Sequence, residues 1–362
     1  MAKCVHFIGL VSSPASWAKV SREIIRALSR AGVYVSAVSL KGHLYNASWP
    51  LAGEVKEALR RRRLDGWDLA LDYPPNFARL DGKRRAGILI YEADRFPSHW
   101  AEAIERRLDL AIVPSAFCLE AAAASGVSRS RLALAPFGVD ADVHRPEGPR
   151  AEMPTGRSFN FLAVAAPHVR KGLKETVAAF AGAFLARDDV GLVIKCPPRT
   201  RLGKRPWEYR SVADFLPDRR EGQVSLIEAA HTESDMAALY RGADVYVQAS
   251  YGEAFGLAPL EAAACGKPVI ATAWGAAPEI FGSEGAYLVE YDLVDAGAFA
   301  YDWRGGGTVR MARPRVRHLV ETMRRAYEDS SERASKASGA ARVAEEFTWQ
   351  QCARAISAAL VD

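Results

Sequence analysis

Two glutamates, Glu253 and Glu261, stand eight positions apart in the segment Ser250–Thr272, with Gly252 and Gly256 in the turn around the first of them. A carboxylate accepts two hydroxyl hydrogen bonds well, and its charge roughly doubles their strength. Pro259 falls where a first helical turn tolerates a residue without an N–H. The two glycines let backbone approach a ligand closely. Free N–H groups near Phe255–Ala258 then lie at the positive end of a helix dipole, where an anion is held. The chemistry these residues fit is recognition of a sugar joined to a phosphate. An ordinary strand–turn–helix with two solvated glutamates is the competing reading, and the agreement of so many local features argues against it.

The elements that must position this pair alternate along the chain. Val5–Gly9 reads as a strand. Val20, Ile24, Ala27, Leu28 and Ala31 recur at helical spacing, and Gly32 stands where a C-terminal cap belongs. Further strands are expected at 33–38, 69–71, 87–91, 110–113 and 132–135. Pro146–Pro154, with three prolines and a glycine, marks a linker. Alternation then resumes, with strands at 159–165, 191–195, 224–227, 244–249 and 268–271 and helices at 174–185, 235–240 and 259–264. Residues 197–222 read as an irregular insertion, and the chain from Arg313 on as mostly helices. Alternating strands and helices imply parallel sheets covered on both faces. The expected architecture is α/β, two doubly wound domains with ligand in the crevice at the carboxyl ends of the strands.

The segment 250–272 resembles the Glu–seven residues–Glu motif of retaining glycosyltransferases of the GT-B fold, of the large family 4 type (glycosyl transferases group 1). Pro268–Thr272 and Gly275–Ile280 are similar to that family's following strand and loop, Pro136–Asp140 to its Pro-x-Gly-Val-Asp hinge, and Phe347–Trp349 to the aromatic start of its last helix. The resemblance covers most of the chain and is strongest over 240–281. It implies two Rossmann-like domains with an interdomain cleft. The expected boundaries are 1–145 for an acceptor-side domain and 146–346 for a donor-binding domain, with 347–362 a helix returning to the first. It implies transfer of a sugar from a nucleotide-diphosphate sugar to an acceptor hydroxyl, with retention of configuration. Glu261 would hold ribose hydroxyls and Glu253 the transferred sugar, with Phe255, Gly256 and Leu257 lining the turn. No metal and no cofactor beyond the donor is expected.

The resemblance also gives Val164–Gly172 a role. Family members carry Lys-Gly here, usually with an Arg five positions before the Lys, and both cations face the donor diphosphate. Lys171 matches, but the Arg position is Ala166, and Arg170 becomes the candidate replacement. Preorganised cations stabilise the charge that builds on the leaving nucleoside diphosphate. The first loop, Gly-rich in the family, holds one glycine and three serines here, so Ser12 and Ser13 are candidate phosphate donors. A family His is replaced by Glu92. That leaves Glu92 and Asp94 as candidates to orient the acceptor or take its proton, with His99 and Asp72 as further acceptor-side candidates. Asp140-Ala-Asp142 formally matches a metal motif of a different fold, but at a hinge, so metal binding is not assigned.

Composition bounds the rest. At 362 residues, 49% hydrophobic and 25% charged, the chain reads as globular with two domains. No stretch approaches the roughly 20 apolar residues a membrane span needs, and the N-terminus reads as a first strand and not a signal peptide. Five scattered cysteines without Cys-x-x-Cys point to a reducing cytoplasm. The net charge of +5 concentrates at Arg60, Arg61, Arg62 and Arg63 and at Lys83–Arg85. These are either a solvated helix face or a peripheral contact with an anionic membrane at the inner face. No aromatic-interleaved basic motif points to nucleic acid. Two alternatives stay open: a GT-B sugar phosphorylase or epimerase, and a non-catalytic nucleotide-sugar-binding partner of an assembly.

Overall fold

A computed structural model describes residues 4–361 except 43, 185–186, 198–222 and 305–306. The insertion expected at 197–222 therefore lies almost entirely outside the described residues. The chain forms two compact units, Met1–Gly138 with Phe347–Asp362, and Val139–Glu346.

Unit 1 alternates β1 (Cys4–Gly9), α1 (Ser16–Arg30), β2 (Tyr34–Ser39), α2 (Gly53–Arg60), β3 (Trp67–Leu71), β4 (Arg84–Ile88), α3 (Ser98–Arg107), β5 (Leu110–Val113), α4 (Ala116–Ala124) and β6 (Leu132–Leu134). All pairings are parallel, in the order β2-β1-β3-β4-β5-β6. Strand β3 is buried at every position, as expected for a parallel strand covered on both faces. The fourth strand runs three residues earlier than its apolar pattern predicts, because Arg84 and Arg85 continue the ladder opposite Trp67 and Asp68. Helix α11 (Trp349–Ala359) opens with a capping box between Thr348 and Gln351. It buries Trp349, Ile356 and Leu360 within this unit, with Trp349 stacked 5.9 Å from Phe137.

Unit 2 alternates β7 (Phe159–Val164), α5 (Leu173–Phe184), β8 (Val190–Cys196), β9 (Val224–Glu228), α6 (Glu233–Gly242), β10 (Val245–Gln248), α7 (Leu257–Ala264), β11 (Val269–Thr272), α8 (Ala277–Gly285) and β12 (Ala286–Val289). The sheet is parallel in the order β12-β11-β10-β7-β8-β9. An antiparallel pair, β13 (Tyr291–Asp295) and β14 (Arg310–Pro314), follows, then α9 (Val316–Glu328) and α10 (Ser330–Glu346). The core joins Phe161, Phe180, Phe184, Leu192, Val247 and Met323, with Phe161 and Phe184 stacked 5.4 Å apart.

The unit boundary falls at 138/139, seven residues before the expected 145/146. Arg241 on α6 is the physical reason: its guanidinium donates to the carbonyls of Val143, Arg145 and Pro149, and Ala151 N–H donates to Ala238 O. Those bonds tie the proline-rich connector to unit 2. Among the described residues, no helix is long and apolar enough to cross a membrane.

Candidate active site

In unit 2 the sequence order of the strands reverses between β7 and β10, the topological switch point where doubly wound sheets bind ligands. The loop after β7 carries Arg170 and Lys171, and the loop after β10 carries Glu253, so the two candidate motifs meet there. Gly172 permits the close approach. It has φ +61°, and a Cβ on it would lie 1.8 Å from the Ala249 carbonyl oxygen.

Three contacts shape the second loop. Tyr251 N–H donates to Arg170 O at 2.7 Å, and Ala312 N–H on β14 donates to Tyr251 O at 2.8 Å. The Tyr251 hydroxyl donates to Glu175 at 2.7 Å. From below, Ala276 N–H donates to Glu253 O. Gly275, at φ +74°, leaves room where a Cβ would come within 2.8 Å of that same carbonyl.

Glu253 is thus placed with both cations on one oxygen. Lys171 Nζ lies 2.7 Å and Arg170 Nη1 3.3 Å from its Oε1. Burial pushes its carboxyl up, but Lys171 and Arg170 together outweigh burial and hold it below its ordinary value. Arg170 Nη1 also donates to Gly252 O at 2.7 Å, so this residue braces the turn as well as contributing charge. His168 accepts the Arg170 N–H on Nδ1 at 3.0 Å. Burial first, then the adjacent Arg170 and Lys171, push its imidazole down to about 3, so it is neutral at physiological pH. Ala166, in the position of the family's first cation, is exposed.

Glu261 lies one turn into α7 and is 6% exposed. Gly256, at φ +98°, is the N-cap of that helix and supplies no side-chain cap, so the first amides of α7, at Leu257 and Ala258, have no partner inside the helix. Phe255 is buried beside them and Leu257 half-buried. Oε2 of Glu261 accepts the Tyr240 hydroxyl at 2.8 Å, and His144 Nε2 lies 3.9 Å from it. His144, Glu233 and Glu261 bring ligand atoms within 4.8 Å of one another, a set that is able to hold a cation. Neither His144 nor Tyr240 was singled out from sequence. Tyr240 falls in the apolar phase of α6 and reads as core, and His144 has no motif around it. Asp140 accepts Asp142 N–H at 3.1 Å, so the Asp-x-Asp match closes its own turn.

In unit 1 the candidate residues take the following places. Ser12 and Ser13 are buried. Ser13 Oγ accepts Ala15 N–H, and Arg22 on α1 donates to the carbonyls of Val11 and Ser13. The Ser13 hydroxyl is thus enclosed within the loop and caps the Ala15 amide. Asp72 accepts from Tyr73 N–H at 2.8 Å and from the Asn76 amide at 2.9 Å, with Arg79 at 3.4 Å. Its carboxylate organises the 3-10 turn Pro74–Arg79. Glu92 and Asp94 are half-buried in the loop after β4, and His99 is half-buried in the first turn of α3. Of the arginine run, Arg61 pairs with Glu57 and stacks on Tyr34, and Arg63 pairs with buried Asp68 and with Asp81. Arg60 and Arg62 face solvent. Among the described residues, all five cysteines are free.

Both units are doubly wound parallel sheets, and by fold the chain is a GT-B protein. Residues 158–302 match the family model described as Glycosyl transferases group 1. Among curated relatives, the D-inositol 3-phosphate glycosyltransferase of Arthrobacter sp. (strain FB24) is 31% identical over 237 residues, covering 61% of this chain and 47% of that protein. That of Salinispora tropica is 38% identical over 120 residues, covering 33% and 20%. The chain thus spans less than half the length of these two relatives. Two solved structures superpose over nearly the whole chain. Anabaena Alr3699/HepE, in complex with UDP and glucose, has a TM-score of 0.69 at 15% identity, covering 99% of each chain. The sucrose-phosphate synthase of Thermosynechococcus elongatus has a TM-score of 0.68 at 17% identity, covering 98% of each.

Proposed function

We propose that this protein is a retaining glycosyltransferase that moves a sugar from a nucleotide-diphosphate sugar to an acceptor hydroxyl of a glycan, lipid-linked sugar or other glycoconjugate. The observation that carries the reading is the cluster of Glu253, Lys171 and Arg170 at the switch point of unit 2, with Glu261 one turn into the helix that follows. The family match over residues 158–302 and the Anabaena neighbour in complex with UDP and glucose support it.

In this reading Glu261 accepts ribose hydroxyls, and the α7 amides near Phe255, Gly256 and Leu257 face the donor. Glu253 contacts the transferred sugar. Lys171 and Arg170 take up the charge that grows on the diphosphate as the glycosidic bond breaks. Removing one preorganised donor of this kind costs about 100- to 1000-fold in turnover. Glu253 holds both cations in place before the donor arrives, so little reorganisation accompanies the reaction. Neither glutamate acts as a covalent nucleophile; departure and attack on one face of the sugar account for retention. The two side-chain cations supply the positive charge, so neither metal nor cofactor is required. Glu92 and Asp94 of unit 1, with His99 near them, are the acceptor-side groups. The reaction belongs in the cytoplasm, and solvent-facing Arg60 and Arg62 are what remains for a membrane contact.

The test is incubation with a panel of UDP-, ADP- and GDP-sugars with and without EDTA, the anomeric configuration of the product being read by NMR. Retention with at least one donor, unchanged by EDTA, is expected. An inverted product removes the retaining mechanism, and EDTA-sensitive turnover removes metal independence.

A further inference from the structure

Glu261 is held from behind by residues that no motif announces. The Tyr240 hydroxyl on α6 donates to its Oε2 at 2.8 Å. His144, in the connector, puts Nε2 3.9 Å from the same oxygen and 3.9 Å from Glu233. Three separate stretches thus converge on one carboxylate. Tyr240 and His144 are each 1% exposed, and the Tyr240 ring packs against those of His144 and Tyr246 at 6.1 Å and 5.9 Å. A buried aromatic at this place needs no hydroxyl for packing, and burying one is costly unless it finds a partner. Here the partner is the group read as the ribose acceptor. Burial first, then the Glu261 charge, drives the Tyr240 hydroxyl well above its ordinary value, which keeps its proton on the oxygen that faces Glu261.

We infer that Tyr240 is a positioning residue that fixes the Glu261 carboxylate for a vicinal diol, with His144 beside the same oxygen. The inference rests on the reading of Glu261 as the acceptor of ribose hydroxyls. A helix-borne glutamate has several rotatable bonds. A charge-assisted hydrogen bond on one oxygen orders them during folding, so ligand binding no longer has to. Loss of the hydroxyl would then blunt discrimination between ribose and deoxyribose, and not only weaken the fold.

The experiment compares dissociation constants by calorimetry. The tightest of UDP, ADP and GDP is chosen first, and its 2′-deoxy form is measured beside it, in wild type and in Glu261→Gln, Tyr240→Phe and Tyr246→Phe. Tyr246 is the control, because its equally buried hydroxyl bonds Gln248 instead. Wild type should lose about tenfold on removal of the 2′-hydroxyl, the size of one hydrogen bond to a charged group. In Glu261→Gln and Tyr240→Phe that ratio should fall to about threefold or less, while Tyr246→Phe keeps it. A wild-type ratio in Tyr240→Phe overturns the inference and leaves the Glu261 reading intact. The absence of a deoxy penalty in wild type, or of binding by all three nucleotides, removes that reading and the inference with it. Stoichiometric binding of Zn2+ or Mn2+ that His144→Gln abolishes would overturn it in favour of a cation site.

Discussion

His168 shows how strongly the cationic turn acts on its neighbours. The folded imidazole takes a proton only near pH 3, whereas an unfolded histidine takes one near 6.5. Between those values the unfolded chain binds more protons. The contribution of neutral His168 is therefore fully present above about pH 6.5 and is lost progressively as pH falls toward 3, with about 2 kcal/mol gone at pH 5. His168→Asn keeps a short acceptor for the Arg170 N–H and removes the titration. Its melting temperature should drop several degrees less than wild type between pH 7 and pH 5; an equal drop in both proteins contradicts the assignment. At this scale the sequence was legible where chemistry shows as residue type: Glu253 and Lys171, singled out from separate motifs, pair within unit 2. It was not legible where a side chain turns inward. Ser13 and Asp72 look like ligand groups, yet each closes a local backbone turn. Arg170 braces Gly252 through a contact 82 residues away in sequence, which no local pattern reveals.

At the level of elements, the candidate site depends on how closely the ends of β7 and β10 approach. Gly172 is the hinge of that arrangement, because both its positive φ and the Ala249 carbonyl exclude a side chain. Gly172→Ala should destabilise unit 2 by about 3 kcal/mol or more and abolish nucleotide binding; calorimetric melting that matches wild type would refute the packing argument. The core strands were readable from their apolar runs. Strand β12, Ala286–Val289, was not among them. The β13–β14 pair was also missed: no residue of β13 is buried, and Arg310 and Arg313 interrupt the apolar residues of β14. Yet that pair holds the Tyr251 carbonyl and so helps set the loop that carries Glu253.

For the whole molecule, alternation of strand and helix patterns foretold two doubly wound units, and both sheets have that form. Chain order alone did not place the boundary, which Arg241 draws by holding the connector to α6. The last helix belongs to unit 1 and covers it with Trp349, Ile356 and Leu360. Ending the chain after Glu346 should therefore remove the cooperative unfolding of unit 1 while unit 2 still melts as a unit. Two intact transitions would show that α11 is dispensable. One scaffold hosts many activities, and the chain departs from the pattern of the family it resembles at Ala166 in unit 2 and at Ser12–Ser13 and Glu92 in unit 1.

The central claim is that the Glu253–Lys171–Arg170 cluster performs sugar transfer from a nucleotide donor. Its most direct measurement is release of nucleoside diphosphate from a panel of nucleotide sugars by wild type and by Glu253→Gln, each with nucleotide binding measured in parallel. Turnover of at least one donor by wild type is predicted, reduced about 100-fold or more in Glu253→Gln. Nucleotide binding without turnover of any donor, across a range of sugar acceptors, would contradict it and leave a binding protein in its place.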